Sequence, residues 1–402
     1  MKKLFLTLVL AFIGMTAFAQ NISGTWNGEL VAGIQKIPLV LNLTAEGKCT
    51  LDSPQQGAKG IPANVDFLSA DSLKVSVNSL NASYAAHLEN GELKGVFTQN
   101  GFKLPLNLKP GEPAKAIRPQ NPQPPYPYET EEVTFTNDKA GATLAGTLTV
   151  PADAKCVLLM VTGSGAQNRD EEVFEHKPFA VIADRLARAG IATLRYDDRA
   201  TGKSVGGMDS NVTTKDFADD ALAGIEWLRH SGRFKKVGIL GHSEGGSIAF
   251  MLGAQKKVDF IVSLAGPAVK GDSVLLEQNK LLGGDAAKDL TIEKLREMPQ
   301  IKQSPWIQWF IDYDPQSDIA KIKCPVMALN GSKDCQVVAS QSIPALRRTL
   351  PPNKQNLIKQ YDGLNHLFQH CQTGLPTEYG TIEETFSEEV IRDIITWVKQ
   401  LK

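Results

Sequence analysis

Val237-Gly238-Ile239-Leu240-Gly241-His242-Ser243-Glu244-Gly245-Gly246 is the stretch that decides the fold. Its opening apolar run reads as a buried strand, and the G-x-S-x-G that follows leads into a helical pattern ending near Ala254. A serine in so tight a strand-to-helix turn is strained, and the strain is tolerable only where the flanking positions, Gly241 and Gly245, lack side chains. The turn exposes the Ser243 hydroxyl, and the helix start aims N–H groups and its positive end at negative charge developing beside it. The five letters alone recur by chance; in this context Ser243 is a candidate nucleophile.

Outward from the turn, strands alternate with helices, the rhythm of a mostly parallel sheet covered on both faces. Eight strands are expected at 132–136, 144–150, 157–162, 192–196, 237–240, 260–264, 326–330 and 356–361, and helices at 179–189, 214–231, 246–254, 340–349 and 383–399. Between about 268 and 319 the alternation breaks into polar helical sequence with Trp306, Trp309, Phe310 and Tyr313, which reads as a helical cap inserted between two strands. Those aromatics can line an apolar pocket or form the core of the cap itself.

A serine nucleophile needs a base, and the chain holds His87, His176, His230, His242, His366 and His370. His366, in the loop after the last strand, is best placed to reach over the sheet edge; His370 reads as a surface residue and His242 as a packed neighbour of the serine. The base needs an anion to fix its tautomer, and Asp334 ends the short loop after the strand 326–330. The order Ser243, Asp334, His366 suits this fold class. Two backbone N–H groups should receive the oxyanion, that of Glu244 and that of Ser164 in the loop Gly163-Ser164-Gly165.

These motifs, with Gln167-Asn168-Arg169-Asp170-Glu171, Tyr196-Asp197-Asp198-Arg199-Ala200-Thr201-Gly202-Lys203-Ser204 and Gly363-Leu364-Asn365-His366-Leu367-Phe368, resemble the α/β-hydrolase superfamily from about residue 131 to the end, and within it bacterial carboxylesterases with a helical cap. Ala200 stands where that family has glycine. The resemblance implies hydrolysis of short-chain acyl esters through an acyl-enzyme, with no cofactor and no metal. Arg169, Asp170 and Arg199 either hold a polar substrate group or form, with Glu171, a salt-bridged network supporting the oxyanion loop. Because the loops of Asp334 and His366 must be neighbours, a Cys335–Cys371 disulfide is expected between them.

Toward the N-terminus the pattern changes. Short alternating segments such as 37–43 and 72–77, separated by turns like Glu89-Asn90-Gly91-Glu92, indicate a small all-β domain over 20–108, sandwich or barrel-like. A proline-rich stretch, 109–130, reads as an extended linker to the domain at 131–402. Met1-Lys2-Lys3, the apolar run to Met15 and Ala17-Phe18-Ala19 form a signal-peptide pattern over 1–19, too short for the ~20 residues of a bilayer-spanning helix. Export to a periplasmic or extracellular space, without a stable membrane anchor, is the expectation.

Among 402 residues, 43 Lys+Arg against 44 Asp+Glu with no basic stripe argue against a nucleic-acid partner. A small-molecule ester is the expected substrate, an acylated glycan among those left open, as is the oligomeric state. The same triad serves acyltransferases, thioesterases and peptidases. A catalytically inert binding protein is the remaining alternative, disfavoured by an intact set of Ser243, Asp334 and His366.

Overall fold

The computed structural model describes residues 22–32, 35–54, 58–112 and 117–401. The expected signal peptide lies outside the described residues. The chain divides into two compact units, Met1–Lys115 and Ala116–Lys402.

The first unit is a closed antiparallel barrel of β1 (Gly24–Ala32), β2 (Gln35–Leu43), β3 (Cys49–Ser53), β4 (Ala58–Leu68), β5 (Ser72–Val77), β6 (Ala82–Glu89), β7 (Glu92–Gln99) and β8 (Phe102–Pro110). Each strand pairs with the next in the chain, and Trp26↔Pro110 and Asn27↔Lys109 close the ring, which removes the sheet edges. Alternation sends Leu39, Leu41 and Leu43, then Leu73, Val75 and Val77, into one core with Trp26, Leu93 and Phe97. The β6–β7 hairpin turns on Asn90 and Gly91, both with positive φ (53° and 80°), as a twist-matched two-residue turn requires.

The second unit is built on an eight-stranded sheet: β9 (Glu129–Asn137), β10 (Ala142–Val150), β11 (Cys156–Val161), β12 (Ala192–Tyr196), β13 (Lys236–His242), β14 (Ile261–Leu264), β15 (Val326–Gly331) and β16 (Leu357–Tyr361). Their order is β16-β15-β14-β13-β11-β12-β10-β9. The six strands from β11 onward pair in parallel, while β10 is antiparallel to both its neighbours. The helices are α1 (Pro178–Arg188), α2 (Thr214–His230), α3 (Glu244–Ala254), α4 (Gly271–Gly283), α5 (Ile292–Glu297), α6 (Pro299–Lys302), α7 (Pro305–Asp312), α8 (Gln316–Ile319), α9 (Ala339–Thr349) and α10 (Glu388–Gln400).

The central parallel strands are mostly apolar because both faces are covered, whereas the edge strand β16 carries Lys359 and Gln360. Leu158, Met160 and Leu240 pack under α1 and α10. Leu159, Val161 and Ile239 pack under α2 and α3. Helices α4 to α7 form a small cluster of their own around Val274, Leu295, Ile301 and Phe310. The expected inserted segment, 268–319, is wider than that cluster: Ala268 and Ile319 both belong to the main core.

The proline-rich stretch is not a free spacer over its whole length. Pro110 still lies in β8, and from residue 117 the chain is bound to the second unit. Arg118 donates to the carbonyls of Phe174 (2.9 Å), Gly380 (2.8 Å) and Ile382 (3.0 Å). Gln120 exchanges bonds with the Phe386 backbone, and the Tyr128 hydroxyl donates to Asp184 (2.7 Å). Prolines prevent a helix here, but they leave Arg118 and Gln120 free to satisfy loop carbonyls. Gln120 also occupies the Thr385 and Phe386 N–H groups, and α10 starts at Glu388 rather than near residue 383.

Candidate active site

Ser243 sits between β13 and α3 at φ 52° and ψ −117°, a left-handed backbone that a non-glycine residue holds only under constraint. The constraint is close packing. A Cβ on Gly241 would overlap the Gly245 carbonyl, and one on Gly245 would overlap the Val161 carbonyl. The Ser243 N–H is tied to the Leu264 carbonyl at the end of β14 (2.8 Å).

The structure brings His366 and Asp334 together: His366 Nδ1 lies 2.8 Å from Asp334 Oδ2, and both side chains are buried. Asp334 is held in turn. Its Oδ1 accepts from the N–H groups of Gln336 (2.8 Å) and Val337 (2.9 Å), and its Oδ2 accepts from Asn330 Nδ2 (3.1 Å). An acceptor so placed puts the His366 proton on Nδ1 and leaves Nε2 as a base. In the same loop, Asn365 Oδ1 accepts from the N–H groups of Leu367 and Gln369.

The expected Cys335–Cys371 disulfide does not form. Both thiols are free: Cys335 Sγ donates to the Gly374 carbonyl (3.1 Å) and Cys371 Sγ to the Gly363 carbonyl (3.4 Å). The two loops are neighbours, as the hypothesis required, but Lys333 joins them instead. Its N–H donates to the Leu364 carbonyl, and its Nζ donates to the carbonyls of Cys371 (2.9 Å) and Gln372 (2.8 Å).

The loop after β11 passes beside the serine, with the Cβ position of Gly163 only 3.3 Å from Ser243 Cβ. The Gly163 N–H is committed to Glu171 Oε1 (2.8 Å), which leaves Ser164 as the next donor along the loop. Asp198 Oδ2 braces the same loop by accepting from Thr162 Oγ1 and Gln167 N–H, both at 2.8 Å. Burial raises the Asp198 carboxyl to about 7, only partly opposed by those two bonds.

Arg169, Asp170 and Arg199 lie away from the serine pocket and are occupied with one another's loops. Arg169 pairs with Asp197 through Nε (3.1 Å) and Nη2 (2.8 Å), and through Nη1 with Glu132. Asp170 pairs closely with Arg195. Arg199 forms a buried two-pronged pair with Asp220 (2.7 and 2.8 Å) and donates to the carbonyls of Gly207 and Asp216. Each is engaged in ion pairs and hydrogen bonds to neighbouring loops. His370 is exposed and pairs with Glu384.

Ser164, Ser243 and Glu244 open onto a pocket of about 190 Å³ whose far wall includes Val274, Trp306 and Phe310. Trp306 Nε1 donates to Glu244 Oε1 (2.9 Å), whereas Trp309 stacks on Tyr313 and packs against the main core. The two tryptophans, alike in sequence, therefore divide between lining and core. Sequence reasoning missed Gln336 and Val337 in the pocket wall, which follow Asp334 directly, and it missed the bonds of His242.

The family model of S33 serine aminopeptidases matches residues 175–316, which include the Ser243 turn. Over 287 residues the chain is 26% identical to the esterase EstD of Thermotoga maritima, covering 67% of this chain and 68% of that protein. Among solved structures, the esterase Pf2001 of Pyrococcus furiosus is 18% identical with a TM-score of 0.48, covering 71% of this chain and 98% of that one. Est1E of Butyrivibrio proteoclasticus, solved with ferulic acid bound, is 18% identical with a TM-score of 0.48, covering 67% of this chain and 100% of that one. Strand order and the serine turn give the second unit the α/β-hydrolase fold, and the proteins it is similar to in sequence include an esterase.

Proposed function

We propose that the second unit is a serine carboxylic ester hydrolase acting on short-chain acyl esters, with Ser243 as nucleophile, His366 as general base and Asp334 as the anion that orients it. The reading rests on one observation above all: a strained Ser243 on a strand-to-helix turn, with a buried His366–Asp334 pair 2.8 Å apart whose His366 carbonyl is bonded by the ring of His242, the residue before that serine. His366 Nε2 takes the Ser243 hydroxyl proton as Oγ attacks the ester carbonyl carbon. The tetrahedral oxyanion is received by the N–H groups of Ser164 and Glu244. Its collapse breaks the C–O bond, and the leaving alkoxide takes the proton back from His366. Water, deprotonated by His366, then attacks the acyl-enzyme and releases the acid and free Ser243.

Helices α4 to α7 serve as the cap, and the small pocket beneath Trp306 and Phe310 favours acyl chains of a few carbons. The amino-terminal signal pattern supports an exported protein. The esterase relative, matched over 287 residues, favours ester over peptide substrates more than the family model's match over 175–316 favours peptides. Turnover of p-nitrophenyl acetate and butyrate by the purified protein, beside Ser243→Ala, tests the reading. Loss of turnover in the variant is expected, and retained turnover overturns the assignment.

A further inference from the structure

We infer that His242 and Glu171 form a buried positioning pair that locks the oxyanion loop, the nucleophile turn and the base loop into one register, an inference that rests on the serine hydrolase reading above. Glu171 Oε1 accepts from Gly163 N–H at 2.8 Å and faces His242 Nδ1 at 2.8 Å. The other ring nitrogen, His242 Nε2, lies 2.9 Å from the backbone carbonyl of His366. Three segments distant in sequence thus meet through one carboxylate oxygen and one imidazole.

The protonation state follows from the partners. A carbonyl oxygen only accepts, so Nε2 carries a proton. Nδ1 faces a carboxylate oxygen that is already accepting from Gly163 N–H, so the proton between them sits on Nδ1 and the ring is an imidazolium. Burial most strongly disfavours that charge, but Glu171, the His366 carbonyl and Asp334 together outweigh it, and the His242 pKa is raised. Glu171 and, farther off, Asp334 are the carboxylates that face it; the His366 ring lies 4.7 Å away, centroid to centroid, tilted by 45°.

The consequence for the reaction is geometric. Asp334 fixes the His366 side chain at Nδ1, and His242 fixes the same residue's backbone at its carbonyl, so the imidazole is held at two points. Through Gly163, Glu171 sets the start of the loop that presents Ser164 N–H. Glu171 itself stands at φ 52°, a strained backbone maintained at a residue whose side chain makes both contacts. His242 and Glu171 touch no substrate in this scheme. They hold the distance between attacking oxygen, base and oxyanion donor.

The test uses the full mature chain and p-nitrophenyl butyrate. His242→Ala and Glu171→Ala are each expected to lower kcat about 100-fold with KM within about twofold, the scale of a misplacement of about 1 Å. His242→Gln, which can still donate to the His366 carbonyl, should recover about tenfold over His242→Ala. Because the two act as a unit, the double alanine variant should be little worse than either single one rather than the product of both. Nitrogen-15 NMR of the imidazoles should show His242 doubly protonated at neutral pH and singly protonated in Glu171→Gln, a reading independent of activity and of whether the alanine variants fold. A neutral His242 in the wild type, kcat within threefold of wild type in folded variants, or multiplicative losses would each overturn the pair. Ser243→Ala separates the two readings. If it is inactive while the His242 and Glu171 variants keep their kcat, the pair alone falls; if it still turns over ester, both fall.

Discussion

In the barrel, Ser53 is the one polar side chain buried among the described residues, apart from Trp26, whose indole N–H donates to the Ile22 carbonyl, and Tyr84, whose hydroxyl donates to the carbonyls of Leu93 and Leu106. The hydrolase unit buries Glu171, Asp184, Asp197, Asp198, Arg199, Asp220, His242, Asp334 and His366. Backbone strain divides the same way. Non-glycine residues with positive φ in the barrel are Asn81, Asn90 and Asn100, a residue type that tolerates the conformation at turns. In the hydrolase unit they include Glu171, Ala200, Ser243 and Phe368, which do not. Apolar burial and a closed ladder suffice for a barrel, whereas a catalytic surface spends part of its stability on charges and angles it needs elsewhere.

Breaking the charged side at its centre should have the largest effect. Asp334→Asn offers Nδ2 where His366 requires an acceptor, so the imidazole loses its orientation and its counter-ion. A fall in kcat of about 10⁴ is expected from the loss measured for the equivalent change in serine proteases, read on p-nitrophenyl butyrate with circular dichroism confirming the fold. A loss below tenfold would mean that Asp334 does not orient the base.

Stability sharpens the contrast next. Arg199→Ala leaves the Asp220 carboxylate buried without its partner, at a cost of about 3–5 kcal/mol, while replacing both residues with apolar side chains should recover most of that loss. Leu93→Ala in the barrel should cost about 2–5 kcal/mol through transfer and cavity terms, with no partner change that restores it. Urea unfolding of the four proteins checks both. If the Arg199–Asp220 double replacement is as unstable as Arg199→Ala, burial of charge is not what distinguishes the two regions.

The parts of this arrangement that were legible in the sequence are the local ones. The Ser243 turn announces itself because Gly241 and Gly245 must flank it, and Asp334 follows a strand with a clear apolar run, Val326 to Leu329, while the strand before His366 is shorter and mixed. Strands β12 and β15 are readable to within a residue for the same reason. What was not legible depends on side chains meeting across the fold. His242 looks like a packing residue until Glu171 and the His366 carbonyl are seen on either side of it. Cys335 and Cys371 suggest a bond, yet Lys333 between the same loops is as ordinary as any surface lysine. The docking of Arg118 and Gln120 has no periodic signal at all, since its partners are backbone carbonyls more than 50 residues away.

A pH series probes the charged side more gently. Asp198 has a carboxyl raised to about 7 by burial, against 3.8 in the unfolded chain. Between those values the folded state holds a proton that the unfolded state has lost. The stability this contributes is fully present below about pH 4 and is gone once pH rises past about 7. Asp198→Asn removes the titration, so the wild type should lose stability relative to the variant from pH 5 to pH 8, on the order of 1–3 kcal/mol. Equal slopes for the two proteins in urea midpoints across that range would place the Asp198 titration elsewhere.

The smallest expected effect tests whether strain in this unit is functional at every position or merely tolerated at some. Ala200 has φ 55° in the loop that carries Asp197 and Asp198, at a position where the family pattern this loop resembles has glycine. Its methyl group costs about 1–2 kcal/mol in a left-handed backbone, while glycine gives back part of that through the greater freedom of the unfolded chain. Ala200→Gly should therefore stabilise by about 0.5–1 kcal/mol, with kcat unchanged, because the bonds that Arg169 and Lys203 make to the Asp197 carboxylate do not involve the Ala200 methyl group. Gly202 in the same turn behaves oppositely: at φ 54° a Cβ would press into the Asp197 carboxylate, so Gly202→Ala should destabilise and loosen Arg169. If Ala200→Gly instead lowers kcat, the alanine is holding the loop in a conformation the reaction needs, and strain at position 200 belongs with that at Ser243 and Glu171 rather than with drift in a turn.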